Sequence, residues 1–277
     1  MNKITRTWSL MSACWQILKK DKEILIFPVV SSLCCLLLMA SFAMPIYFTK
    51  SWHPPQSGAA GQQAIYYGTL FFFYLCNYFV VIFFNCAIVA CATIRMQGGD
   101  PTVRDGFRAA ASRLPAIAGW AVVSATVGLV LRIIEERSEK VGRFMAGLLG
   151  LAWTVVSYLV VPILVVENQG PVAALKESTQ LLKKTWGEQL TGNFSFGLLF
   201  LCLGLPAYAL IVLGIISGTW TVAALCIALA VIYLIGLALV QSALQSIFQA
   251  AVYLYARHGR VPEGFQAEFL SEAMVRR

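Results

Sequence analysis

Six long apolar segments divide this chain, and short polar stretches separate them. The uncharged runs cover residues 24–48, 62–94, 116–131, 144–166, 190–217 and 220–256. A helix rises about 1.5 Å per residue, so roughly 20 apolar residues cross a hydrocarbon layer about 30 Å thick. Only the third run is shorter, unless its helix continues through Ile133 and Ile134. The pattern predicts an all-α polytopic membrane protein with six transmembrane helices in three hairpins.

An amphipathic stretch precedes each predicted hairpin. In the first, Ile4, Trp8, Met11, Trp15 and Leu18 recur at helical spacing, which favours a helix in the headgroup region or one packed beneath the protein. The second, Gln97–Leu114, carries the same kind of stripe, and the third follows Gly170-Pro171 and extends to Trp186. We expect one membrane domain of three quasi-repeats, 1–95, 96–166 and 167–260, each beginning with a cytoplasmic surface helix. A last amphipathic helix, Glu263–Val275, is predicted within 261–277.

Helix breakers mark the expected ends of these segments. Gly98-Gly99 with Pro101 ends the second span, Gly218-Thr219 forms a short turn, and Gly259 with Pro262 ends the sixth. Pro162 is expected to interrupt the fourth span. Residues 50–61 are predicted to form a loop, and 132–143 a hairpin tip in water whose acids pair with its own bases.

Composition and charge position the chain in the membrane. Apolar residues make up 59% of the sequence and charged ones 12%, about half the charged share of a soluble domain. Of the 21 Lys and Arg, sixteen fall on the side of the termini and five on the other. The positive-inside rule therefore predicts that both termini are cytoplasmic, and the clustering beside apolar spans argues against nucleic acid as the partner.

The basic residues between the spans form a predicted cytoplasmic collar. Anionic lipid headgroups, a protein partner or a second copy of the chain are the partners that this collar suits, although its charges also serve to set topology during insertion. Its members are Lys19, Lys20, Arg104, Arg108, Lys176, Lys183 and Lys184.

Polar side chains within the spans are neutral. They fall mainly on the second and sixth spans, and we interpret them either as the lining of a polar crevice open to the cytoplasm or as amides that bond between helices. They are Asn77, Asn85, Asn193, Gln241, Gln245 and Gln249. Glu167, at the end of the fourth span near Lys176, is predicted to act as a latch between that span and the third surface helix.

Signals for catalysis and for cofactors are lacking in the sequence. The eight Cys fall mostly within apolar runs, the two His lie in different loops, and no catalytic or nucleotide-binding motif is present. We therefore expect no cofactor, no metal and no enzymatic activity.

One stretch carries a family resemblance. Glu167-Asn168-Gln169-Gly170-Pro171, Ala174-Leu175-Lys176-Glu177-Ser178 and Lys183-Lys184-Thr185-Trp186 resemble the junction motif of uncharacterised bacterial six-span proteins. The membrane domain attached to some glycerophosphoryl diester phosphodiesterases is similar. The resemblance implies a bacterial inner-membrane protein. It implies no activity, because the phosphodiesterase catalytic domain has no counterpart here.

Two functions remain open from the sequence. The first is a non-enzymatic membrane scaffold or lipid-interacting organiser that acts through the basic collar. The second is a transporter or channel for a small neutral or amphipathic solute that uses the Asn and Gln faces.

Overall fold

A computed structural model defines the backbone of residues 3–49, 60–137 and 141–259. Within those ranges, side chains are described for residues 8–44, 61–136, 141–182, 197–257 and 259. The described backbone is helical and contains no β-strand, which confirms the predicted all-α class. The predicted helix Glu263–Val275 and most of the predicted loop 50–61 lie outside the described residues.

The helices follow the apolar segments. They are α1 (Lys3–Lys20), α2 (Ile26–Thr49), α3 (Ala60–Met96), α4 (Val103–Ser112), α5 (Leu114–Arg137), α6 (Val141–Val156), α7 (Val160–Val166), α8 (Pro171–Ile216) and α9 (Trp220–His258), with a short 3₁₀ helix, Lys22–Leu25, after α1. Six segments are long and apolar enough to cross a membrane: Lys22–Met44, Gly61–Met96, Leu114–Glu136, Val141–Val166, Gly197–Ile216 and Trp220–Arg257. The chain is a polytopic membrane protein, and α5 has the extra length that the third span required.

Glycine ends three of the long helices, as the breakers predicted. Gly98, Gly218 and Gly259 have φ values of 86°, 67° and 63°, a left-handed conformation that other residues rarely adopt. After α3, the Gly99 amide donates to the Ile94 carbonyl at 2.9 Å and the Gly98 amide to that of Arg95 at 3.1 Å. This pair of bonds is a Schellman motif, which satisfies carbonyls that the helix end leaves free.

The fourth span is broken earlier than the sequence suggested. Helix α6 ends at Val156 and α7 begins at Val160, so the interruption lies at residues 157–159 and not at Pro162. Pro162 is instead the third residue of α7. That position is in the first helical turn, where an amide has no partner within the helix and proline is tolerated.

The third module departs from the predicted layout. A separate surface helix was expected before the fifth span, but α8 runs without interruption from Pro171 to Ile216. The first two modules do have a break, at Asp21 before the 3₁₀ helix and at Arg113 between α4 and α5. After Pro171 the sequence is rich in Ala, Leu, Lys, Glu and Gln, which favour a helix, and neither Gly187 nor Gly192 is followed by a proline that would end it.

Two compact units interleave along the chain. The first unit comprises the described residues within 1–28, 92–101 and 185–277, and the second those within 29–91 and 102–184. In the first unit, α1 packs against α9. The buried residues of α1 are Leu10, Ala13, Cys14, Ile17 and Leu18, which recur at steps of three, one, three and one and so lie on one face. Desolvation on this face raises the pKa of the Cys14 thiol.

The second unit has its own packed centre. Helices α5 and α6 pack against each other, and Trp120 stacks on Trp153 with ring centroids 5.4 Å apart. Gly128 of α5 lies close to α3, since a Cβ there would be 3.4 Å from the Tyr78 ring. These contacts hold α5, which directly follows α4, and α6, which leads through α7 to the start of α8.

Candidate functional site

The junction motif of the sequence forms a compact turn between α7 and α8. Asn168 adopts a left-handed conformation with φ 55°, which ends α7, and Asn tolerates this geometry better than most residues. Pro171 is the first residue of α8, where its fixed φ suits a helix start and its missing amide hydrogen is not needed. The motif Glu-Asn-Gln-Gly-Pro is therefore explained by the backbone that it must form.

Glu167 reaches α8 through an intermediary. The Gln169 side-chain amide donates to the Glu167 carboxylate at 2.8 Å and to that of Glu177 at 2.6 Å. Glu177 lies in the second turn of α8, so one amide connects the end of α7 to that helix. Lys176 has an exposed side chain. A role of Glu167 as a latch between α7 and α8 stays a prediction. In the structure, the Glu167 carboxylate contacts the side chain of Gln169.

Ser178, the last residue of the Ala-Leu-Lys-Glu-Ser motif, fills the break in the fourth span. Its side chain is fully buried. The hydroxyl donates to the Val156 carbonyl at 2.7 Å and accepts from the Leu159 amide at 3.2 Å. A helix interruption inside a membrane needs such partners, because no water is available there for free backbone groups. The sequence alone did not show this role, although the position of Ser178 on the same helical face as the apolar residues Ala174, Leu181 and Leu182 was the available signal.

Arg113 joins the second surface helix to the same region. It follows α4, and its Nε donates to the Val165 carbonyl near the end of α7 at 3.3 Å. Gly119 of α5 approaches the start of α8 closely, since a Cβ there would lie 3.0 Å from Cγ of Pro171. The ends of α4 and α7 and the starts of α5 and α8 therefore meet at one junction in the second unit.

Helix α4 is held in one orientation and presents two arginines. At its start, the Thr102 hydroxyl accepts from the Asp105 amide at 3.3 Å, and the Asp105 carboxylate accepts from the Thr102 amide at 3.0 Å. This capping box satisfies two backbone donors. The Phe107 ring contacts Phe84, with centroids 6.0 Å apart.

Because that contact fixes the rotation of α4, its exposed face is defined. Arg104 and Arg108 are both exposed, one helical turn apart, whereas Gly106 and Ala110 are buried. The hydrogen bonds from the Thr102 hydroxyl and amide hold the pKa of Asp105 below its usual value, and the positive charges of the two arginines act in the same direction.

Helix α1 presents a basic aromatic face in the first unit. Trp8 and Trp15 are exposed, and so are Lys19 and Lys20 in the last turn. The Lys19 ammonium lies 5.7 Å from the centre of the Trp15 ring, within the range of a cation–π contact. The predicted stripe is thus divided, because Leu18 is buried where α1 packs on α9, whereas Trp8 and Trp15 are exposed. A position of α1 in the headgroup region stays a prediction. Side chains of Lys183 and Lys184 lie outside the described residues.

A buried ion pair in the first unit was missed from the sequence. Asp21 is buried, and its two carboxylate oxygens accept from Nε and Nη2 of Arg95 near the end of α3. Nη2 also donates to Asp100. In the sequence, Arg95 is one of the sixteen basic residues on the side of the termini. An acid before one span and a base at the end of the next was the available signal for a contact that ties the two ends together.

The predicted crevice residues belong to both compact units, Asn77 and Asn85 to the second and Gln241, Gln245 and Gln249 to the first. Asn77 is half-buried, and its amide donates to the Phe73 carbonyl of its own helix at 2.9 Å. Gln241 and Gln249 are half-buried, whereas Gln245 between them is exposed. Asn85 is half-buried, and the Asn193 side chain lies outside the described residues. The crevice and the solute pathway that it would serve remain predictions.

The predicted hairpin tip pairs its own charges and also binds α3. Arg132 donates to Glu136 at 2.9 Å and to Glu135 at 3.3 Å, which confirms the pairing for these two acids. The third acid of the tip, Glu139, lies outside the described residues. In addition, the hydroxyls of Tyr66 and Tyr67 donate to the Glu136 carboxylate at 3.4 and 3.1 Å. The sequence did not reveal this tie between the start of α3 and the end of α5.

Metal-ligating side chains are dispersed in the described ranges. No group of three or more His, Cys, Asp or Glu lies close enough there to hold a metal ion. The eight cysteines are free thiols, with Cys14, Cys86 and Cys91 buried.

Comparison with known proteins adds a family and no activity. No curated protein matches the chain. The match that is found covers residues 64–265, from the start of the second span through the junction and past the end of the sixth span. Because it extends over well more than half of the sequence, this chain belongs to DUF6159, a family of unknown function.

Proposed function

We propose that this protein is a non-enzymatic organiser of the bacterial inner membrane, and that it gathers anionic phospholipid headgroups on the cytoplasmic side. The observation that carries the proposal is the fixed, exposed pair Arg104 and Arg108 on α4. A capping box and the Phe107 contact hold this helix in place, so the guanidinium groups stay on a defined face. Arginine is well suited to phosphate, because its planar group donates two parallel hydrogen bonds.

The distribution of charge gives the orientation in this proposal. Sixteen of the 21 basic residues fall on the side of the termini, which supports a cytoplasmic location for the N-terminus, the C-terminus and α4. Inner-leaflet lipids carry negative charge, and a basic helix beside them is attracted over about one Debye length. The resemblance of the junction motif to bacterial six-span proteins supports an inner-membrane location.

In the first unit, α1 offers the same chemistry. Trp8 and Trp15 suit the headgroup layer, where an indole ring buries its apolar part and keeps its N–H hydrated. Lys19 and Lys20 add two positive charges at the end of that helix. Lys176 of α8 adds one in the second unit.

The attraction between these basic side chains and anionic lipid should be strong enough to measure. Each basic residue near an anionic surface contributes about 1 kcal/mol. Removing Arg104 and Arg108 therefore removes about 2 kcal/mol, which corresponds to roughly a 30-fold loss of affinity. Salt weakens the attraction, because the side chains are exposed.

The test uses the full-length protein in a neutral detergent, titrated with short-chain phosphatidylglycerol. We expect the double variant Arg104→Gln/Arg108→Gln to bind about 30-fold more weakly at low salt. The matched control, Arg104→Lys/Arg108→Lys, keeps the charge and should retain most of the affinity. Phosphatidylcholine of the same chain length serves as the headgroup control.

Two outcomes would remove the proposal. One is equal affinity of the Gln variant and the unsubstituted protein for phosphatidylglycerol. The other is equal affinity of the unsubstituted protein for the anionic and the zwitterionic lipid. A melting temperature measured for each variant separates loss of binding from loss of fold.

A further inference from the structure

The guanidinium groups of Arg104 and Arg108 keep their hydrogen-bond donors free. Both side chains are exposed, and among the described residues neither forms a hydrogen bond or an ion pair. Asp105 does not pair with them, because its carboxylate accepts from the Thr102 amide at 3.0 Å and from the Thr102 hydroxyl at 2.6 Å. Arg113, just after α4, donates instead to the Val165 carbonyl. The exposed face of α4 therefore carries two arginines whose donors are available to a ligand.

These two arginines lie one helical turn apart. Side chains at i and i+4 share one face of a helix, with Cβ atoms about 5–6 Å apart. The contact of Phe107 with Phe84 keeps this face of α4 outward. Ser112, one turn beyond Arg108, is exposed and small, so the face stays open beside the guanidinium groups.

A pair of positive charges at this spacing suits two phosphates better than one. Like charges one turn apart repel each other, and a single phosphate has to be shared between them or leaves one without an anion. Each planar guanidinium can donate two parallel hydrogen bonds to a phosphate of its own. When one molecule carries both phosphates, the second contact is intramolecular, at an effective concentration of about millimolar for a short flexible linker. Such a ligand gains affinity without any additional contact.

We propose that Arg104 and Arg108 together bind one lipid that has two phosphates joined by a single glycerol, as in cardiolipin, with one phosphate at each arginine. This inference rests on the proposed function and names the lipid that the α4 site prefers. Phosphatidylglycerol has one phosphate, so it binds at the same site more weakly. A soluble bisphosphate presents the same two charged groups, and the test therefore includes one.

The test compares short-chain cardiolipin with short-chain phosphatidylglycerol, at equal phosphate concentration, on the full-length protein in a neutral detergent. We expect cardiolipin to bind the unsubstituted protein at least about 10-fold more tightly. Arg104→Gln and Arg108→Gln should each abolish most of this advantage, because one remaining arginine holds one phosphate. The readout is the ratio of the two affinities, and a melting temperature for each variant checks the fold.

A relocated arginine separates the effect of spacing from that of charge. Arg108→Gln/Ser112→Arg keeps the net charge but places the second guanidinium eight residues from Arg104, about 12 Å along the helix instead of about 6 Å. Its ratio of cardiolipin to phosphatidylglycerol affinity should fall toward one. Ser112→Arg alone keeps the original pair and should keep the cardiolipin advantage.

Glycerol 1,3-bisphosphate tests whether the ligand is a lipid. It has the same two phosphates and the same bridge but no acyl chains. We expect it to displace cardiolipin only at a much higher concentration than that of the lipid.

Three results would overturn the inference. One is equal affinity of the unsubstituted protein for the two lipids per phosphate, and another is a cardiolipin advantage that persists in both single variants or in the relocated variant. The third is displacement of cardiolipin by an equal concentration of glycerol 1,3-bisphosphate, since the ligand would then be a soluble bisphosphate. The proposed function fails on a different comparison, in which phosphatidylglycerol binds no better than phosphatidylcholine.

Discussion

The Ser178 hydroxyl bonds to the Val156 carbonyl at 2.7 Å, across 22 residues of sequence. It also accepts the Leu159 amide, so one side chain serves both ends of the break between α6 and α7. A polar residue of the α8 helix thereby stabilises an interruption in the preceding membrane span. This contact explains why the residues after Gly170-Pro171 cannot be treated as a surface helix alone.

Ser178→Ala should destabilise the protein through this break. The substitution leaves a buried amide and a buried carbonyl without their partner, at a cost of about 1–3 kcal/mol. We expect a melting temperature several degrees lower in detergent, followed by circular dichroism. Thr179→Ala is the matched control, because the Thr179 hydroxyl donates only to the Leu175 carbonyl of its own helix. Equal melting temperatures for the two variants would show that the break does not depend on Ser178.

A bulky side chain at Gly119 should separate α5 from α8. A Cβ there would lie 3.0 Å from Cγ of Pro171, whose ring is part of the first turn of α8. Gly119→Leu is expected to cost about 1–3 kcal/mol, as overpacking generally does.

Gly147→Leu is the control for this substitution. No atom lies within 4 Å of a Cβ at Gly147, so the change there only replaces a poor helix former by a good one. We expect Gly119→Leu to lower the melting temperature and Gly147→Leu to leave it unchanged or raise it. The opposite order would contradict the close contact at the junction.

The capping box of α4 should respond to acid. The pKa of Asp105 is lower in the folded protein than in the unfolded chain. A lowered carboxyl pKa contributes stability that is present above the unfolded pKa, about 3.9, and is lost as the pH falls through the folded value. The start of α4 should therefore loosen below about pH 4.

Hydrogen exchange of the amides in residues 103–112 measures this loss. Asp105→Asn should exchange faster than the unsubstituted protein near neutral pH and should lack its extra acid sensitivity. Thr102→Ala removes the other half of the box and costs about 1 kcal/mol. Acid sensitivity that persists in Asp105→Asn would assign it to a different group.

Some parts of this fold could be predicted from sequence and others could not. The spans and the turns at Gly98, Gly218 and Gly259 follow from long apolar runs and from residues that tolerate a left-handed backbone. The Asp21–Arg95 ion pair and the hydrogen bond from Ser178 to Val156 join residues far apart in sequence, so no local sequence pattern predicts them. The continuity of α8 was missed because the change from polar to apolar residues before the fifth span was interpreted as the end of a helix. A helix can continue through such a change in polarity. Basic residues on α1 and α4 were expected from the sequence. That Arg104 and Arg108 are the exposed arginines of α4 depends on the packing of Phe107 against Phe84.

The two ends of the second unit should face opposite sides of the membrane. Arg143 precedes the fourth span and Lys176 follows it, and both side chains are exposed. In intact cells, a membrane-impermeant maleimide should label Arg143→Cys and should reach Lys176→Cys only after permeabilisation. Burial raises the pKa of the native Cys14 thiol, which suppresses its reactive thiolate and keeps the background from that residue low. If both engineered thiols react from the same side, a single crossing by α6 and α7 is ruled out. If Lys176→Cys is the one that reacts in intact cells, the orientation is inverted and the basic face of α4 cannot meet cytoplasmic lipid.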